Sequence, residues 1–169
     1  MALLIHEPFQ ITPLTSASMG QPYKTASVIL HRDDRFLLAV HNSFWRKRDQ
    51  RWGLPGGQIE RGENPARAAI RELREELYLT LPQVHEIGAF PYKQSMHIVF
   101  AAPWHTDILD FDDMELNEIG WFEESAIATL KAERKLHAGW ELEAVQAVRR
   151  SLNLTGEPRL ASAPLAPRA

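Results

Sequence analysis

Three glutamates, Glu72, Glu75 and Glu76, follow directly on Arg71, and their spacing has chemical meaning if the segment is helical. At 100° per residue the three carboxylates fall within about a 100° arc of one helix face. Like charges so placed repel, each pair costing about 0.2–0.5 kcal/mol on an isolated helix, so the cluster does little for the helix itself. A divalent cation reverses the sign of that energy. An all-oxygen ligand set suits a hard ion such as Mg²⁺ or Mn²⁺, which keeps water and phosphate oxygens in its remaining positions. A solvated glutamate face, partly neutralised by Arg71 and Arg74, is the competing reading of the same residues. The preceding segment favours the cation. Gly53, Gly56, Gly57 and Gly62 allow the backbone to approach a ligand closely, and Glu63 stands just before the helix.

The elements that must hold these groups can be read from pattern. Asn64 followed by Pro65 predicts an N-cap and a first helical turn, and the helix should run to Leu77 or Tyr78. Ala66, Ala69, Ile70, Leu73 and Leu77 recur at spacings of three and four and supply an apolar stripe for the core. Upstream, TASVILH and RFLLAVHN are β-rich runs parted by Arg32, Asp33 and Asp34, which predicts a hairpin. Downstream, VHEIGAFPYKQ, SMHIVFAAPWH and NEIGWFE read as strands, with helices over 124–131 and 139–152. This order predicts an α+β fold, a mixed β-sheet sandwiched between α-helices. Residues 1–22 read as an irregular leader, 23–152 as the domain and 153–169 as a loose Pro/Ala-rich tail.

The segment GQIERGENPARAAIRELREELYL resembles the signature of the Nudix (MutT-like) hydrolase family: a glycine, five residues, a glutamate, seven residues, then Arg-Glu, an aliphatic residue, any residue, Glu-Glu, any residue, glycine and an aliphatic residue. Gly57, Glu63, Arg71, Glu72, Leu73, Glu75, Glu76 and Leu79 match. A chance match of this extent is on the order of one in 10⁵. WGLPG just upstream resembles what commonly leads into that signature. Tyr78 departs from it, standing where the family has glycine. A left-handed helix end costs a non-glycine residue about 1–2 kcal/mol, so a different helix end is expected here.

The resemblance implies cleavage of the pyrophosphate link of a nucleoside di- or triphosphate derivative, with Mg²⁺ or Mn²⁺ neutralising the phosphates and activating water. It implies that Glu72, Glu75 and Glu76, helped by the carbonyl of Gly56, hold the metal. Arg71 and Glu63 would brace the cluster, with Glu72, and more weakly Glu63, a candidate base. Such enzymes often recruit one more glutamate; Glu118 is the first choice and Glu115 the second. Arg46, Lys47, Arg48 and Arg51 form a basic loop able to meet phosphate oxygens, and Trp45, Trp52, Tyr92 and Trp104 include candidates for stacking on a base. His97 reads as packed or surface. The alternative is a Nudix-fold nucleotide-binding module without catalysis, although such modules usually erode the glutamates that are complete here. Homodimers are common in the family and are allowed for.

Composition bounds the rest. The 169 residues suit one domain. A net charge of -3 gives no reason to expect a stable nucleic-acid partner or an anionic membrane surface. No apolar run approaches the 18 or so residues of a spanning helix, and cytoplasmic location is the expectation. Zero cysteines exclude disulfides, thiolate metal sites and cysteine nucleophiles.

Overall fold

A computed structural model of the protein describes residues 22–42 and 50–155. In chain order the elements are β1 (Tyr23–Arg32), β2 (Arg35–His41), β3 (Trp52–Gly53), β4 (Gly56–Gln58), α1 (Pro65–Leu77), β5 (His85–Tyr92), β6 (Ser95–Pro103), β7 (Leu116–Glu123), α2 (Glu124–Ala132) and α3 (Glu141–Thr155). Among the described residues no helix is long and apolar enough to cross a membrane. The leader over 1–22, except Pro22, and the tail beyond 155 lie outside the described residues, as do Trp45, Arg46, Lys47 and Arg48.

The predicted hairpin joins β1 to β2 in antiparallel register through Asp33 and Asp34. Asp33 takes a positive φ of 54°, which a short polar side chain tolerates better than a branched one. The sheet is mixed. Its path runs β3-β2-β1-β6-β5, with β4 pairing β1 and β7 pairing β2. The centre is a parallel pair, β1 with β6, in which Ala26 faces Ile98 and Val28 faces Phe100.

Strand alternation sends the two faces of this sheet into two cores. On one face Ala26, Val28 and Leu30 join Ile98, Phe100 and Ala102, and α1 covers them with Ala68, Ala69, Leu73 and Leu77. On the other, Ile29, Phe36, Leu38, Val99 and Ala101 pack beneath Ile127 of α2 and Ala144, Val145 and Val148 of α3. This is the predicted sandwich.

Helix α1 begins as its sequence requires. Asn64 Oδ1 accepts from the N–H groups of Ala66 (2.9 Å) and Arg67 (3.3 Å), and Pro65 occupies the first turn. Its other end corrects an expectation. Tyr78 adopts the left-handed conformation, φ 56° and ψ 27°, that glycine would take, and its N–H reaches back to the Leu73 carbonyl. The helix ends in the geometry the glycine position calls for, and tyrosine bears the strain.

Candidate metal centre and adjoining cleft

The buried face of α1 has two rows four residues apart. Ala69, Leu73 and Leu77 form one, and Ala68, Glu72 and Glu76 the other, so two carboxylates occupy positions that strand packing seals from solvent. Glu72 is 9% and Glu76 2% exposed. Burial at such a level is costly for ions unless they are paired, and the pairs are visible. Glu76 Oε2 accepts the Gly56 N–H at 2.8 Å, and its Oε1 lies 2.9 Å from His41 Nε2. Glu72 Oε1 accepts from Arg71 Nη1 at 2.8 Å.

Arg71 is the brace of the site. Its Nε donates to Glu63 Oε1 (2.9 Å), Nη1 also to Glu75 Oε2 (3.0 Å), and Nη2 to Glu63 Oε2 (3.1 Å) and the Gln58 carbonyl (2.9 Å). The fork geometry of a guanidinium is what allows one side chain to tie the glycine loop, Glu63 and the helix together. Arg71 holds Glu63 below the usual carboxylate range, helped by the Glu60 N–H.

The third member of the acidic cluster is not the one nearest in sequence. Single ligand atoms of Glu72, Glu76 and Glu115 all lie within 4.8 Å of one another. Glu75, half exposed, is turned to Arg71 instead. Glu118 is exposed, and by alternation it shares the face of Gly120 and Phe122, whereas Ile119 and Trp121 pack on the α1 side. Of the two extra glutamates, the structure therefore brings in the second choice, Glu115, and leaves the first aside. Burial pushes Glu72 and Glu115 above their ordinary values, and the neighbouring Glu76 carboxylate adds to both. Three oxygens gathered against their own repulsion, two of them buried, fit a hard divalent cation.

His41 was not foreseen. Burial lowers its imidazolium, but the bond and charge of Glu76, the Gly56 backbone and the charge of Glu72 outweigh that, so it stands above its ordinary value. A signal was present in the sequence: Leu37 and Ala39 alternate into the α1 core, and His41 is the next residue on that face.

Two glycines separate this cluster from a cleft on the opposite face. Gly56, at φ 138°, leaves no room for a side chain, since a Cβ there would come 2.6 Å from Ser27 Cα. A Cβ on Gly57 would come 2.5 Å from the Glu72 carboxyl carbon. Both glycines, with His41, also line the cleft, whose volume is about 180 Å³. Its floor holds Thr25, Ser27 and His97, and its walls Tyr92, His137 and Trp140. Thr25 Oγ1 lies 2.5 Å from His97 Nδ1, and burial lowers the His97 pKa.

Of the aromatic candidates, Tyr92 lines the cleft, whereas Trp52 packs edge-on to Phe122 (4.7 Å) and Trp104 packs on the α1-side core. His97, read as packed or surface, is part of the cleft floor. Arg51 is exposed just before β3 and is not among the cleft-lining residues. Trp140 and Glu141 went unnoticed in the sequence, yet Glu141 stands three, four and seven residues before Ala144, Val145 and Val148. A carboxylate at the head of a buried stripe is the signal that could have found it.

Known proteins resemble this chain across the same region. One relative, a nucleoside triphosphate pyrophosphatase/Nudix hydrolase fusion protein of Bifidobacterium longum, is 30% identical over 90 residues, 50% of this chain and 19% of that one. The NAD-capped RNA hydrolase NudC of Edwardsiella ictaluri is 33% identical over 97 residues, 56% of this chain and 37% of that one. The chain thus matches well under half the length of these relatives. A NUDIX hydrolase from Nitrosomonas europaea has the same fold, with a TM-score of 0.62 at 18% identity, over 83% of this chain and all of that one. The NUDIX domain model matches residues 22–147, which include both the carboxylate cluster and the cleft: the chain belongs to the Nudix family.

Proposed function

We propose that the protein is a divalent-metal-dependent hydrolase that cleaves the pyrophosphate bond of a nucleoside di- or triphosphate derivative. The observation that carries this reading is the convergence of Glu72, Glu76 and Glu115 beside an intact Arg71–Glu63 brace. The names of the relatives, which refer to nucleoside triphosphates and to NAD-capped RNA, support a nucleotide-type substrate.

Glu72, Glu76 and Glu115 would hold Mg²⁺ or Mn²⁺, with the Gly56 carbonyl as a further oxygen and Glu75 able to join from Arg71. The bound cation supplies charge neutralisation of the bridging phosphates and lowers the pKa of the attacking water. The chain's own groups do the rest. Arg71 fixes Glu72 and Glu63 in place, and the Gly56 N–H fixes Glu76. Glu72, held above the usual carboxylate range by burial, is the candidate to accept the water's proton, and Glu63, kept ionised by Arg71, the candidate to orient it. Arg46, Arg48 and Arg51 remain proposed phosphate contacts. Glu118 is exposed on the other face and has no part in this arrangement. Cytoplasmic location and a nucleotide as the working partner are part of the same reading, as is the possibility of a homodimer.

The test is a substrate panel of nucleoside triphosphates, nucleoside diphosphate sugars and dinucleotides with Mg²⁺ or Mn²⁺, following phosphate and nucleoside monophosphate release. Turnover that disappears with a chelator and returns with metal is expected. Saturable nucleotide binding without turnover on any substrate would replace this reading with the non-catalytic binding module.

A further inference from the structure

We infer that Asp112, seconded by Asn42, is a positioning residue that sets Glu115 against Glu72 and Glu76, an inference that rests on the metal-dependent reading of that cluster.

Glu115 is the member of the cluster that no regular element holds. Glu72 and Glu76 belong to α1, whereas Glu115 is exposed and stands at the end of the segment 104–115, just before β7 begins at Leu116. Strand pairing does not place it either. The ladder of β7 on β2 is irregular at this end, passing from Val40 opposite Glu118 to His41 opposite Leu116. A long, solvated side chain loses rotamer freedom when it is held to one position, so a fixed backbone beneath it lowers the cost of bringing its carboxylate to the other two.

Asp112 supplies that fixed backbone. Its N–H donates to the Glu76 carbonyl at 2.8 Å, its carbonyl accepts from the N–H groups of Glu115 (3.1 Å) and Leu116 (2.8 Å), and its Oδ1 accepts from the Met114 N–H (2.8 Å). The first of these bonds depends on how α1 ends. Carbonyls in the last turn of a helix have no partner within it, and because Tyr78 turns the chain left-handed, the Glu76 carbonyl is open to Asp112. Glu76 thus gives its carboxylate to the cluster and its carbonyl to the turn that delivers Glu115. Asn42, next to His41, holds the same turn from the other side, its N–H donating to the Glu115 carbonyl (2.7 Å) and its Nδ2 to the Met114 carbonyl (3.2 Å). Phe111, packed on the α1-side core, fixes the approach of the chain to Asp112. The gathered carboxylates are Glu72, Glu76 and Glu115, and Asp112 serves them by holding the turn. Groups that orient metal ligands in this way are worth about 10–100-fold in metal affinity.

Mn²⁺ binding to the full chain without nucleotide, read from the electron paramagnetic resonance signal of free Mn²⁺, tests this. Glu115→Gln should weaken binding about tenfold or more, and Asp112→Ala should come close to it. Asp112→Asn keeps the Oδ1 acceptor and gives up the charge, so it should stay within about threefold of wild type. In the Glu115→Gln background Asp112→Ala should add less than about twofold, since nothing is left to position. Asn42→Ala should weaken binding about threefold and likewise lose its effect beside Glu115→Gln, and it decides the matter if Asp112→Ala does not fold. Wild-type affinity in both Asp112→Ala and Asn42→Ala overturns the inference, as does an equal loss with and without Glu115. A loss in Asp112→Asn as large as in Asp112→Ala overturns it too, by making the charge the active feature. Wild-type affinity in Glu115→Gln, with Glu76→Gln severely impaired, removes Glu115 and this role of Asp112 together and leaves the hydrolase intact. A wild-type chain that neither binds Mn²⁺ nor hydrolyses nucleotides overturns the metal-dependent reading itself.

Discussion

The two faces of the sheet hold two kinds of site, built by opposite means. On the α1 face the chemistry comes from one stretch of chain: a glycine loop, Glu63, and a helix whose buried rows carry Glu72 and Glu76, with Glu115 the outside contribution. On the α3 face the cleft is collected from β1, the β5–β6 hairpin and the turn before α3, residues far apart in sequence. Contiguous segments carry their geometry in helical spacing. Collected ones carry it in strand register, and register is set by the whole sheet. The difference teaches that the carboxylate cluster is a local property of the sequence, and the cleft a global one.

The sharpest way to break this comparison is to remove one carboxylate from each position proposed for the extra glutamate and the cluster. Glu76→Gln should lower kcat by about 10³-fold or more with the fold kept, as shown by an unchanged circular dichroism spectrum, while Glu118→Gln should stay within about twofold. A severe loss from the Glu118 variant would return that residue to the chemistry. Next in size is Gly57→Ala. Its Cβ would press on the Glu72 carboxyl, and a displacement near 1 Å at reacting groups is worth about 10²-fold in rate. Normal turnover in this variant would show that Glu72 need not sit where it does.

A smaller effect separates the ends of β2. His41 stands above its ordinary value of 6.5 because of Glu76, so the stability it contributes to the metal-free protein is fully present below about pH 6.5 and is lost as pH rises through the folded value. The imidazole is 37% exposed, which screens the pair. Thermal midpoints of the chelated protein should fall between pH 6 and 8.5 by no more than about 2 °C beyond those of His41→Asn. Parallel midpoints would deny the coupling. Smallest is Tyr78→Gly, which relieves a left-handed φ at an exposed position and should raise stability by about 1 kcal/mol in denaturant melts, whereas a loss would mean that the exposed ring has a contact worth keeping.

How far the sequence could be read follows the same division. The hairpin, the helix from Asn64 to Leu77 and the last two helices were all legible because each depends on neighbours within a few residues. A bracing role for Arg71 and Glu63 was implied by the family resemblance, and Arg71 makes five hydrogen bonds, two of them to Glu63 and the others to Glu72, Glu75 and the Gln58 carbonyl. Glu115 against Glu118 was not decidable, since the irregular register of β7 opposite Val40 and His41 shifts which residue faces α1. All five residues of the predicted α1 stripe pack in the core, Ala66 and Ile70 only partly buried, and the buried face extends beyond the stripe to Ala68, Glu72 and Glu76. The left-handed Tyr78 was expected to be avoided, and the packing of the α1 end overrides that local preference.

The parallel pairing of β1 with β6 also sets an order of events during synthesis. Its partners, such as Thr25 and His97, are 72 residues apart, and closing so long a loop must precede the reward of pairing. On the ribosome, the segment of α1 emerges with Glu72 and Glu76 before β6 exists, and Glu115 follows β6. The three carboxylates therefore meet only once the central strands have joined. A cation bound at the proposed site would find its complete set of ligands late, on a framework made by apolar strands, and its binding energy would add to a nearly finished molecule instead of guiding the first steps of folding.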